Sequence, residues 1–432
     1  MKNNNKFKTH LHNHTDLSKM DSTNKIEKFV KAAKEMGYTS LAITDHGTIS
    51  GWIDFEMACE KYNVKLIFGV EAYERRESLV LEATNATNIK YYHSLFLAKN
   101  KKGAQFIMEL VTESYKLENM TAKPNPKPRY SVDFLFKNRE KIKGNVIWSS
   151  ACVGGRIPKL LMENKEDEAQ KYFDTMVKIF GKDDVYIEIQ NHGDEYETKA
   201  RKLLIDFARK NDANLLATND IHYLKKEDYL SREYLMARNF GQTLNEREMK
   251  GQIYPSELYL KSQEEMDLLF KDCPDALENT KKVEEKCEKY SFKGEYWHYP
   301  KMDMPEGYNS DTYLRKLTYD AFNEKFPSNA LSVESRQSLT DRIDMELEVM
   351  AKMDASAYML IDADFTKAAR DMMRVGPGRG SACGSVVAEL LSITEIDPLK
   401  FDLFFERKTA FYCAHKIKVN CGNRQMVMYN VA

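Results

Sequence analysis

The sequence has no run of 18 apolar residues, so no segment is expected to span a membrane. Its opening residues, MKNNNKFK, lack the apolar core of a secretory signal. Its seven cysteines are scattered and include no CxxC pair. An odd count without framework spacing argues against a disulfide scaffold and for reduced thiols in a cytosolic setting. Net charge is also nearly absent, because 65 basic residues face 66 acidic ones. That balance neither points to nucleic acid nor excludes it, since a local basic channel can sit on a neutral protein. What remains is a chain of 432 residues, 42% hydrophobic, long enough for two or three domains with real cores.

The informative residues are of metal-ligand type. His12, His14, Asp21, His46, Glu71, His93, Cys152, Asp220 and His222 lie in or beside short apolar runs in the first half. Those runs are KFKTHLHNH, SLAITDH, KLIFGVE, YYHSLFLA, NVIWSSAC and NLLATNDIH, and VYIEIQ reads as one more strand. Amphipathic helices are expected between them, the first capped by Ser22 or Thr23 and ended by Gly37. Repeated strand–helix units predict a parallel sheet of about seven strands, open or closed. Strands that deliver polar residues at one end build sites of the kind found on the C-terminal face of an α/β barrel.

Each residue has a plainer reading. Asp21 can be a helix-start residue, Cys152 a small core residue, and the DHG of residues 45–47 a turn. The recurrence outweighs them. His12 and His14 alternate along a strand and share a face, which His10 shares by parity. Asp220 and His222 repeat that spacing. An acid ending the apolar run KLIFGV would be costly without a cation or donor. Asp45 is expected to support an imidazole N–H, and His192 to contact substrate without being a ligand. Dispersed imidazoles, carboxylates and one thiol suit a multinuclear site that activates water for phosphoester hydrolysis, so no side chain is assigned as nucleophile.

From about Tyr229 charged helices take over, SRQSLTDRIDMELEVMAKM being a clear amphipathic one. Then comes VGPGRGSACGS, Val375 to Ser385, whose glycines let the backbone approach a ligand. Its amides with Arg379, Ser381 and Ser385 would suit a triphosphate, although the GK[ST] ending of a Walker loop is absent. VVAELLSI is expected to follow as a helix.

In this order the motifs HLHNHTDLSKMDS, LAITDHG, GVEAY, HSLFLAKN, SACVGG, ATNDIHY, GPGRGS and ITEIDPLKFDLFFER resemble the bacterial-type replicative DNA polymerase III alpha family, from Phe7 to about Arg407. The resemblance implies an α/β fold. A PHP (polymerase and histidinol phosphatase) domain, a distorted (β/α)7 barrel, would occupy residues 1–270. A mostly helical, incomplete polymerase palm would occupy 271–407, and an unrelated basic tail 408–432. The family's metal ligands map onto the nine residues above and would hold two or three Zn, Mn or Fe ions in a site associated with 3′–5′ exonuclease activity. Its nucleotide-contacting loop maps onto Gly380, Ser381, Gly384 and Ser385, beside Arg379. Implied partners are DNA and a deoxynucleoside triphosphate, with a cytoplasmic location in a bacterial cell or phage-infected host. No Asp or Glu follows Glu406, where the family has two closely spaced metal-binding aspartates. The chain alone is therefore not expected to polymerise DNA, and Mg would serve polymerisation only if a second polypeptide completed the palm. A frameshift, an intron boundary or a split gene would each explain the tail. The rival readings are a stand-alone small-molecule phosphatase and a non-catalytic structural module.

Overall fold

The computed structural model describes residues 6–18, 21–75, 91–121, 126–292 and 301–405, with the backbone of Asn420–Cys421 and Arg424–Gln425 beyond them. It divides into two compact units, Met1–Phe292 and Lys293–Ala432. The first unit thus reaches past the expected boundary at 270. The cause is the helix Pro274–Lys286, which packs on the last strand and donates from Asn279 Nδ2 to the Leu215 carbonyl at 2.7 Å. Apart from the short paired segment, residues 408–432 lie outside the described residues.

The first unit is built on a curled mixed sheet. Its strands are β1 (Ser40–Ile43), β2 (Lys65–Arg75), β3 (Tyr91–Ala98), β4 (Arg129–Tyr130), β5 (Val146–Ser149), β6 (Val185–Ile189) and β7 (Asn214–Ala217). The path runs β1-β2-β3-β5-β6-β7, with β4 pairing to β2. The expectation of an all-parallel sheet is corrected at one strand, because β3 is antiparallel to both β2 and β5. The HLHNH run is not a continuous strand. It bridges Leu41 through His10 and Ile221 through Asn13, so it touches β1 on one side and the loop after β7 on the other. That two-sided pairing draws the ends of the sheet together.

Alternation along the strands sets the inner layer. Leu11 of the HLHNH run and Ala42, Ile67, Leu97, Ile147, Tyr186 and Leu216, one from each strand of the main path, form a buried cluster that Val283 and Cys287 complete. Further along the same parity the residues turn polar: His46 on from Ala42, Glu71 on from Ile67, Glu188 on from Tyr186. On reversed β3 the polar residue, His93, precedes Leu97. One end of the inner layer is therefore apolar and the other carries the ligand-type residues. The outer face packs helices over a larger core that includes Phe29, Phe55, Phe96, Trp148 and Phe180.

The first helix, Ile26–Glu35, starts without the expected side-chain cap. Ser22 instead places its hydroxyl 2.8 Å from the carbonyls of both His14 and His222. The second unit packs helices Ser310–Lys325, Val333–Lys352 and Ser356–Met372 around Leu314, Phe322, Ile343, Leu347, Met359 and Val387. The expected helix over VVAELLSI is short, Val386–Leu390.

One close approach gives a stability test. Gly103 lies in the first turn of the helix Lys101–Ser114, capped by Asn100, where a Cβ would sit 2.0 Å from the Asn145 carbonyl oxygen. Gly103→Ala must push backbone apart, so a loss of about 1–3 kcal/mol is expected in urea unfolding. A stability equal to the parent chain would show that this approach is not tight.

Candidate metal centre

The structure brings all nine ligand-type residues to one end of the curled sheet. Glu71, at the middle of β2, is the hub. Its Oε2 lies 2.7 Å from His46 Nδ1 and 3.4 Å from His14 Nε2. Its Oε1 lies 2.8 Å from His93 Nδ1 and 3.5 Å from His12 Nε2. Cys152 Sγ is 3.6 Å from His93 Nδ1 and 3.8 Å from Glu71 Oε1. Asp220 Oδ1 stands 3.1 Å from His14 Nε2 and 3.4 Å from His12 Nε2. Asp21 Oδ2 is 3.1 Å from His46 Nε2, and Asp21 Oδ1 is 3.6 Å from His222 Nε2. His12, His14, Glu71 and His222 are buried, while Asp21, His46, His93, Cys152 and Asp220 are half-buried and form the mouth.

These donors fit a cation better than they fit one another. His12 Nε2, His14 Nε2, His46 Nδ1, Glu71 Oε2, Asp220 Oδ1 and His222 Nε2 are buried without a hydrogen-bond partner. Buried polar groups are otherwise nearly always satisfied, so several orphans converging on one space need an external explanation. Three overlapping trios have ligand atoms within 4.8 Å of each other: His14, His46 and His222; His12, His14 and Glu71; His46, Glu71 and His93. Hard oxygens, imidazoles and one thiol are the donor set of borderline divalent metals.

The ring tautomers are set from behind. His12 Nδ1 is 2.6 Å from Glu188 Oε1, His14 Nδ1 is 3.0 Å from Ser18 Oγ, and His222 Nδ1 is 2.8 Å from the Asp220 carbonyl. With Nδ1–H donating outward, each Nε2 lone pair points into the cluster. Ser149, Gln190 and Thr218 donate in turn to Glu188. Contrary to expectation, Asp45 accepts no imidazole N–H. It accepts from Thr15 N, Thr15 Oγ1 and Ser18 Oγ, and so supports His14 through Ser18. Arg232 donates to Asp21 Oδ1 at 2.5 Å and to its carbonyl at 3.0 Å.

Electrostatics show the same frustration. Burial opposes charge on His46, but Glu71 and Asp21 outweigh it and raise its pKa to about 10. Burial, helped by His46 and His222, lowers His14 to about 3. Burial together with Glu71 and Asp220 pushes the Cys152 thiol well up. Burial favours neutral Asp21 and Asp220, yet Arg232 on the first and His12 on the second lead the charges that hold them ionised. Asp220 also has a left-handed backbone, φ +49°, of the sparsely populated kind that clusters at functional sites.

Two other histidines lie outside the cluster. The chain bends at His12, which breaks the strand alternation, and His10 turns away to the Lys261 carbonyl at 2.9 Å. His192, expected as a substrate contact, is buried with Nδ1 on Glu197 (2.7 Å) and Nε2 on the Asn219 carbonyl (3.0 Å), so neither nitrogen is free. Sequence reading missed Glu188, Ser18 and Arg232. An acid within the apolar strand VYIEI was the available signal for Glu188, and nothing local singled out Arg232.

In the second unit the glycine-rich loop divides in two. Arg379 and Gly380 are exposed and Ser381 is half-buried. Gly384 and Ser385 are buried. A Cβ on Gly384 would meet the Phe404 carbonyl oxygen at 2.5 Å. The Ser385 hydroxyl donates to Glu346 Oε2 at 2.7 Å, and the Val386 and Val387 amides donate to the same carboxylate. Arg342 Nε pairs with Glu346 at 2.7 Å. A buried carboxylate therefore holds the Ser385 hydroxyl, which was expected to face a triphosphate, and the first two amides of the helix that follows the loop.

The chain can now be set beside known proteins. The family model described as PHP domain matches residues 10–192, and the one described as bacterial DNA polymerase III alpha NTPase domain matches residues 312–411. The chain is similar to DNA polymerase III subunit alpha of Borreliella burgdorferi, 36% identical over 402 residues, covering 92% of this chain and 33% of that protein. The Helicobacter pylori subunit is 36% identical over 432 residues, covering 94% and 34%. The Thermus aquaticus subunit is 32% identical over 455 residues, covering 92% and 36%. The chain thus spans about a third of the length of these relatives. Among solved structures, an amidohydrolase from Chromobacterium violaceum covers 50% of this chain and 87% of its own at 13% identity and a TM-score of 0.31, too slight a likeness to argue from. No helix among the described residues is long and apolar enough to cross a membrane.

Two tests follow from the supporting groups. Glu188→Gln replaces the carboxylate that His12 Nδ1 meets, and zinc affinity is expected to fall about 10–100-fold in chelator competition. Unchanged affinity would remove Glu188 from the site. Glu346→Ala orphans two amides and leaves Arg342 only its bond to the Gly384 carbonyl, so trypsin cleavage after Arg379 is expected to accelerate sharply. An unaltered cleavage rate would show that the loop holds without it.

Proposed function

Because this chain belongs to the bacterial DNA polymerase III alpha family, we propose that its PHP domain is a metal-dependent phosphoesterase that hydrolyses the 3′ end of DNA. The observation that carries the reading is the convergence of unpartnered buried donors around Glu71. His12, His14, Asp21, His46, Glu71, His93, Cys152, Asp220 and His222 would hold two or three divalent ions such as Zn²⁺, Mn²⁺ or Fe²⁺. Such ions supply Lewis acidity, an activated water and a clamp on phosphoester oxygens.

The chain's own residues do the preparatory work. Glu188, Ser18 and the Asp220 carbonyl hold three imidazoles in the ligating tautomer. Arg232 keeps Asp21 ionised and aims it at His46 and His222. The half-buried residues at the mouth leave the site open to a strand end, while the buried ones exclude bulk water from its floor. In the second unit Arg379, Gly380 and Ser381 are the loop residues left accessible for a deoxynucleoside triphosphate. Gly384 and Ser385 would serve it by shaping the loop. Polymerisation, and any second polypeptide that would complete it, stay outside the activity we assign to the PHP site.

The test is release of labelled nucleotide from 3′-labelled single-stranded DNA with added Mn²⁺ or Zn²⁺. Asp220→Asn removes one charged donor shared by His12 and His14 and is expected to abolish release. Full activity in a metal-loaded Asp220→Asn protein would overturn the site. Hydrolysis of p-nitrophenyl phosphate but not of DNA would favour a small-molecule phosphatase, a reading the match over residues 312–411 speaks against.

A further inference from the structure

The mouth of the metal centre carries groups that hydrolysis at a metal cluster does not need. The Tyr73 ring stacks on His46 with centroids 5.8 Å apart and planes at 15°. Tyr91 stacks on His93 at 5.9 Å and 6°, and meets Tyr73 edge to face at 4.8 Å. Across Asp21, the guanidinium of Arg232 lies 4.5 Å from the ring of Tyr254, a residue 43% exposed. Tyr91 touches Tyr73, Tyr73 stacks on His46, His46 meets Asp21, and Asp21 pairs with the Arg232 that lies against Tyr254, so both rings stand at the rim of the same cluster.

Lys127 stands at the same rim. Its neighbour Pro128 and the Tyr73 ring both press on Gly47, the residue after His46. Its Nζ is 5.2 Å from the Tyr73 ring centre and 3.4 Å from the Tyr73 hydroxyl. Burial lowers its pKa, while the charges of Asp21 and Glu71 act in the opposite sense. Among the described residues no carboxylate lies within ion-pair distance of it. A half-buried cation kept beside an acidic cluster, and left unpaired, is placed for an anion that arrives from outside.

We propose that Tyr91 and Tyr254 form a stacking platform for the last base of a single DNA strand, and that Lys127 binds the phosphate next to it. The inference rests on the phosphoesterase reading and names the residues that would hold its DNA strand. Aromatic faces accept any base and a cation tracks the backbone, which is how single strands are held without sequence preference. A compact sugar phosphate would leave both rings idle. The rim also answers an electrostatic problem, since the carboxylates that gather metals repel a polyanion and Lys127 offsets them at the point of entry.

The test is fluorescence anisotropy of a 5′-labelled oligo-dT, its last linkage a phosphorothioate to slow hydrolysis, with the whole chain loaded with Mn²⁺. Lys127→Ala and Tyr91→Ala are each expected to weaken binding about tenfold or more, with metal content and thermal unfolding as in the parent. Tyr91→Phe keeps the ring and is expected to restore affinity. Lys127→Ala is also expected to flatten the salt dependence, lowering the slope of log affinity against log salt by about 0.7. Binding unaltered in both alanine variants, or an unchanged salt slope, would overturn the proposal. A chain that binds the strand through this rim yet releases no nucleotide would overturn the nuclease reading and leave the rim assignment standing.

Discussion

A fully buried carboxylate, Glu71, organises the first unit. It sits where a strand interior would ordinarily place an apolar side chain, ringed by His12, His14, His46 and His93. Such a charge is tolerable only when surrounding donors or cations compensate it. The rest of the domain serves that requirement. The reversal of β3 brings His93 to the same end as Glu71, and the pairing of HLHNH with both ends of the sheet delivers His12 and His14.

Other buried carboxylates in the molecule show what a closed account looks like. Glu74, three residues on in β2, receives Arg156, Tyr130 and Tyr172. Glu346 receives Ser385, two backbone amides and Arg342. Glu71 keeps a hydrogen bond to His93, but His12 Nε2, His14 Nε2 and His46 Nδ1 around it are left without partners. The contrast separates two carboxylates that brace structure from one whose surroundings suit a cation, since all three are equally buried. It also explains why the glycine-rich loop has two halves. The half braced by Glu346 is packed, and the half around Arg379 stays exposed.

The motifs made much of this legible. Imidazoles and acids ending apolar runs announced the cluster, because a strand cannot bury such residues without a reason. All nine residues chosen on that ground converge. The supporting shell was less visible. Ser18 and Arg232 are ordinary residues on a loop and a helix, 27 and 211 positions from the partners Asp45 and Asp21 that give them meaning. His10 and His192 carried the same chemistry as the residues that converge, yet their bonds go elsewhere, His10 Nε2 to the Lys261 carbonyl and His192 to Glu197 and the Asn219 carbonyl.

Sequence alone determined the residue types gathered at the candidate site, the alternation of strands and helices, the helical second unit and the family, because each is written in residue spacing that any fold must respect. Tertiary structure decided which side chains face each other. The antiparallel course of β3, the bend at His12 and the carboxylate seated on the Val386 and Val387 amides all depend on pairing between distant segments. A spacing rule sees one strand at a time. Whether a buried donor is satisfied depends on what the rest of the chain brings to it.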